Sequence, residues 1–83
     1  MGKDTPNLRN GDYDYVIGSD VDRDGMFLEV SKADDRADAL LEIFYSDQTH
    51  SMTITLFKSD VPLEVVELAI STAKERLPPV RKQ

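Results

Sequence analysis

Cysteine is absent from these 83 residues, which removes both a disulfide framework and a thiolate zinc site as supplements to a core. Histidine occurs once, as His50. It falls in a stretch that reads as a surface hairpin loop, with no serine elbow in the chain, so a nucleophilic triad has no support. The four glycines, Gly2, Gly11, Gly18 and Gly25, are too dispersed to build a phosphate-cradling loop. Long apolar runs are missing as well, and a membrane helix needs about 20 such residues. The opening MGKDTPNLRNGD lacks the apolar stretch of a secretory signal, and Pro6 stands where a myristoylation motif needs Ser or Thr. These absences point to a cytoplasmic chain with no membrane partner and no enzymatic machinery. Carboxylates are plentiful, but acid–base catalysis needs a cleft that perturbs them, and a solvated acidic loop does not supply one.

Bases are the minority charge: 10 Lys and Arg against 16 Asp and Glu leave a net charge of −6. Residues 12–47 hold eleven acids and three bases, whereas Lys74, Arg76, Arg81 and Lys82 make the C-terminal end basic. A surface of this sign is repelled by phosphate backbones, which excludes nucleic acid, and it favours a basic protein or a cation.

At this length one domain is expected, with a thin core and no deep cavity, because a small chain buries only about 60% of its unfolded surface. Residues 1–11 read as a flexible leader, 12–79 as a single α+β domain and 80–83 as a short tail. Four β-prone runs precede one helix. They are Tyr13 to Gly18, Met26 to Lys32, Ala39 to Ser46 and Ser51 to Lys58. Lys32 to Asp38, charged and without an apolar stripe, reads as a loop. Short connections favour a four-stranded antiparallel meander, giving the order ββββα. The helix is expected to start with Asp60 as cap and Pro62 in the first turn. Its apolar face is expected to comprise Leu63, Val66, Ala69, Ile70, Ala73 and Leu77.

Period-two alternation sorts the strands into two faces. Met26, Leu28, Val30, Leu41, Ile43, Tyr45, Met52, Ile54 and Leu56 share the face expected beneath the helix. All three phenylalanines, Phe27, Phe44 and Phe57, fall on the other face with Glu29 and Glu42. That face admits two readings: cross-strand pairs that stabilise a wet sheet, or a contact patch for a partner. On the second reading Phe27, Glu29, Glu42, Phe44 and Phe57 bind a protein, basic by charge. A structural homodimer through the same face is an alternative.

Asp20-Val21-Asp22-Arg23-Asp24-Gly25 matches the opening of a calcium loop, in which acids at positions 1, 3 and 5 donate oxygens and glycine permits the turn. Position 12 is Ser31 where a bidentate Glu belongs, and the flanks read as strands. A hairpin turn therefore leads, and weak calcium binding is the alternative. In that alternative Asp20, Asp22 and Asp24 are the ligands, with a carbonyl from Met26. No other cofactor is expected.

The run Gly25-Met26-Phe27-Leu28-Glu29-Val30, then Glu42 to Asp47 with Met52-Thr53-Ile54-Thr55, then Pro62 to Glu67 and Glu75 to Pro79, resembles a group of short uncharacterised bacterial proteins. The resemblance spans Gly25 to Pro79 and implies no activity. In its small acidic build the chain is also similar, in a general way, to toxin immunity proteins. That similarity implies a non-catalytic inhibitor of a basic protein. Relatives in the group often carry glycine where this chain has His50.

Overall fold

A computed structural model describes residues 11–78. The expected leader, except Gly11, and the expected tail lie outside the described residues. The four strands are β1 (Tyr13–Asp20), β2 (Gly25–Lys32), β3 (Asp35–Ser46) and β4 (Met52–Leu56), followed by α1 (Leu63–Arg76). They form one antiparallel sheet in the order β1-β2-β3-β4, the expected ββββα meander.

The register aligns the helix-side face in rows across β2, β3 and β4: Met26–Tyr45–Met52, Leu28–Ile43–Ile54 and Val30–Leu41–Leu56. These are the nine residues that alternation assigns to that face. Burial within the rows is uneven. Leu28, Val30, Leu41, Ile43 and Tyr45 are buried, whereas Ile54 and Leu56 are 42% and 54% exposed. The cause is the position of α1, which packs over β2 and β3. Its buried residues are Val65, Ala69 and Ala73, spaced by four and so on one line of the helix, and Leu77 closes the core just beyond. The two alanines allow close approach to the sheet. Each large side chain fully withdrawn here contributes about 1.5–3 kcal/mol.

Several expectations are corrected. The helix face is rotated: Leu63 is 72% and Ile70 39% exposed, while Val65, absent from the expected face, is buried. The apolar sector of the helix is wider than the strip that two strands can cover. Asp60 does not cap the helix; Pro62 holds the cap position with no side-chain cap bond, and Asp60 adopts φ 61° in the preceding turn. Strand β3 starts at Asp35, so Asp35 to Asp38 is strand instead of loop. Beyond the Val30–Leu41 pair the register slips, Ser31 pairing with Ala39 and Lys32 with Asp35. The slip leaves Leu40 unmatched beside Leu41, and both are buried.

The rotated helix face has a direct consequence for stability. Leu41→Ala, at a fully buried position, is expected to cost about 2–5 kcal/mol. Leu63→Ala is expected to change stability by less than about 0.5 kcal/mol. Urea unfolding of both variants measures the contrast, and comparable losses would place Leu63 in the core.

Candidate functional site

On the open face, away from α1, each phenylalanine ring of the Phe27–Phe44 pair lies over a glycine. Gly18 faces Phe27 across β1–β2, and a Cβ there would come within 2.8 Å of the Phe27 ring. A Cβ on Gly25 would meet the Phe44 ring at 2.5 Å and run into the Tyr45 carbonyl. Gly25 is thus required by close approach rather than by a positive φ, which the turn places on Asp24 (φ 54°).

The loop between β1 and β2 folds back over this face. Asp20 Oδ1 accepts from the backbone N–H of Asp22 and Arg23, an Asx-type turn. Its Oδ2 accepts from Arg23 Nε at 2.6 Å. The Arg23 guanidinium reaches on to Glu42, donating to both carboxylate oxygens at 3.2 and 2.8 Å, and its Cζ stands 4.1 Å above the Phe44 ring. The hydrogen bond from Arg23 holds the Asp20 carboxyl below its ordinary value, and the two carboxylates raise the Arg23 guanidinium.

A second loop joins the first at this end of the sheet. The Asp47 N–H donates to the Asp24 carbonyl and Gln48 Nε2 to Asp24 Oδ2. Ser46 Oγ accepts from the N–H groups of Gln48 and Thr49, and His50 closes the turn at φ 59°. Its Nδ1 lies 3.0 Å from the hydroxyl of buried Tyr45. His50 thus occupies a conformation that favours glycine, and its ring partners the polar end of a core tyrosine.

The expected partner-binding residues are brought together only in part. Phe27 and Phe44 are direct cross-strand neighbours, as are Glu29 and Glu42. Both rings are half-buried, and Phe44 lies beneath Arg23. Phe57 is 51% exposed, and its N–H bonds to the Leu40 carbonyl. The row of Glu29, Glu42 and Thr55 therefore separates it from the other two rings. Of the expected calcium ligands, Asp20 is engaged by Arg23 and by its own turn, and Asp24 by Gln48. Among the described residues no group of three or more Asp, Glu, His or Cys could hold a metal ion. At the far end an open depression of about 720 Å3 is lined by Asp34, Asp35, Asp38 and Asp60 with Lys32 and Lys58. There Lys58 Nζ pairs with Asp38 at 2.8 Å.

A surface that the sequence reading did not single out lies at the β4 edge. The Ser46 N–H donates to the Ser51 carbonyl, and the Phe57 N–H donates to the Leu40 carbonyl. Alternation between these fixed points directs the N–H and C=O groups of Thr53 and Thr55 to β3, and those of Met52, Ile54 and Leu56 outward. Those same three residues carry the helix-side side chains. Beside them runs a shallow apolar trough of about 210 Å3, lined by Ile43, Met52, Ile54, Ile70 and Ala73. The opposite edge is closed differently. The corresponding bond from Ala33 N–H to the Asp12 carbonyl makes the Tyr15 N–H an outward group, and it donates to Asp14 Oδ1 at 2.8 Å. Among the described residues no side chain bonds to a β4 amide. The sequence signal for this surface was the run Met52-Thr53-Ile54-Thr55-Leu56, without charge or proline, but its edge position emerges only from the topology.

The Asp20–Arg23 contact gives a pH and a metal expectation. Because the folded Asp20 carboxyl titrates below 3.8, its stabilising contact is complete above the unfolded carboxyl's range and is lost as pH falls through the lowered folded value. An NMR titration of the Asp20 carboxyl carbon should show a midpoint below 3.8, returned toward the ordinary value in Arg23→Gln. Calorimetry of the wild type with millimolar calcium should give no saturable heat, since Asp20 is already committed; saturable binding would restore the calcium loop. Among the described residues no helix is long and apolar enough to cross a membrane. No protein-family model, curated protein or solved structure matches this chain.

Proposed function

We propose that the chain is a non-catalytic protein-binding module of the cytoplasm that takes up an extended segment of a partner along β4. The observation that carries this reading is the state of that edge. Five consecutive uncharged residues form the edge, and three of them, Met52, Ile54 and Leu56, direct their backbone groups away from the sheet beside the exposed side chains of Ile54, Leu56 and Ile70. Natural sheets blunt such edges with charge, proline, bulges or a covering loop, and β4 carries no charge or proline and pairs in unbroken register with β3. Strand addition uses these elements: main-chain bonds supply affinity, and alternate side chains entering the trough supply specificity.

The open face supports a second reading, that of an inhibitor docking on a basic protein. It is favoured by the exposed Phe57 and by the unbalanced acids of the chain. In that mode Phe57 is the anchor and Glu29 speeds association, with Phe27 and Phe44 as the half-buried floor.

Panning a random peptide library against wild type, Ile54→Pro and Phe57→Ala separates the two. Proline at position 54 removes an N–H that points away from β3, so the sheet should survive. Peptides with alternating apolar residues are expected on wild type and Phe57→Ala and are lost on Ile54→Pro. Basic peptides lost only on Phe57→Ala would move the function to the open face.

A further inference from the structure

Resting on the strand-addition reading, we infer that the segment received by β4 is the β4 strand of a second copy, so that two chains form one eight-stranded antiparallel sheet. Pairing Ile54 with Ile54 of the other copy matches Met52 with Leu56 in both directions. It sets outward-pointing groups opposite outward-pointing groups throughout, as an antiparallel ladder requires. The two-fold axis of such a seam is perpendicular to the sheet, which places both helices on the same side. The trough beside each β4 then merges with its twin, and Ile54, Leu56 and Ile70, exposed in the single chain, line one shared apolar floor.

Charge favours a copy over a foreign basic segment. In a chain of net charge −6, self-association requires a surface free of uncompensated acid. The β4 strand is uncharged. Leu63, Glu67, Ile70 and Lys74 follow at spacings of three and four along one flank of α1, and Lys74 and Ile70 both border the trough. The flank therefore brings one acid and one base, with no net charge to select a basic partner or to repel a second copy. The β1 edge is already engaged, because its Tyr15 amide is occupied by Asp14 and its acids Asp14 and Asp20 are tied to Arg36 and Arg23. A seam of five residues is small, so association in the micromolar range is expected rather than tighter.

Sedimentation equilibrium of the full chain from about 10 μM to about 1 mM, the range suited to a small interface, tests the inference together with amide hydrogen exchange at both limits. The expected result is a concentration-dependent dimer in which the Met52, Ile54 and Leu56 amides slow as it forms. Ile54→Pro and Ile70→Glu should each weaken association at least tenfold. Should Ile54→Pro unfold, Ile70→Glu on the exposed helix flank and the exchange rates decide. A chain that stays monomeric at the upper limit overturns the second copy, as does a dimer indifferent to both variants. A monomer that still binds alternating peptides at β4 overturns the second copy alone, whereas a monomer that binds none overturns strand addition as well.

Discussion

A helix about 10 Å wide lies on a sheet of four strands spaced about 4.8 Å apart, and the rest of the structure follows from that mismatch. One helix can cover two strands, and α1 covers the central pair. Val65, Ala69 and Ala73 seat it over β2 and β3, where Leu28, Val30, Leu41 and Ile43 complete the core. Each flank of the sheet must then be managed without a second helix. Over β1 this is done with large side chains: Tyr13, Tyr15 and Ile17 pack against the core margin, and Arg76 at the end of α1 donates to the Tyr15 hydroxyl at 3.1 Å. Over β4 only Met52 packs against the core margin among the described strand residues, and Ile54 and Leu56 stay 42% and 54% exposed.

The open face is a different solution to the same shortage. With no helix available, the β1–β2 loop supplies cover, and Arg23 is its working residue. Its guanidinium is placed over Phe44 and fixed between Asp20 and Glu42. The Glu29–Glu42 juxtaposition across β2 and β3 would be unfavourable for two uncompensated carboxylates, and Arg23 balances one of them. An acid-rich turn thus acts as a structural latch, in which the carboxylate nearest the backbone organises the loop and the arginine binds the loop to the sheet.

Much of this architecture was legible in the sequence, for reasons that differ by element. The faces of β2, β3 and β4 were readable because alternation has a period of two, and an error of one residue would have exposed the whole core. The first part of β3 was not readable: Asp35 to Asp38 extend past the core, so no burial pattern marks them as strand. The helix was evident, but its buried line was not. Leu63 and Ile70 are as apolar as Val65, and only the width of the sheet decides which of them is covered. The Asp20 motif admitted two readings, because the aspartate that opens a calcium loop is also the residue that initiates an Asx turn, and the hairpin turn that led is the one observed. The second carboxylate that Arg23 holds, Glu42, lies 19 residues beyond it, beyond the reach of any local pattern. His50 was readable as a loop residue but not as the partner of the Tyr45 hydroxyl.

The two edges of the sheet differ in chemistry although the topology makes them equivalent. A strand at the end of a meander leaves alternate backbone groups without a neighbour, and a solitary acidic protein has every means to guard them. At β1 those means are used: an aspartate occupies an outward amide, and further acids flank it. At β4 the same chain, with nearly a third of its residues charged, places none in five positions and adds isoleucine and leucine on the uncovered side. Solvation alone would not select this pattern, since positions 54 and 56 lie where the helix does not reach and are 42% and 54% exposed. Among the described residues one edge of this small sheet is guarded and the other is not, and that asymmetry is what the proposed strand addition at β4 would use.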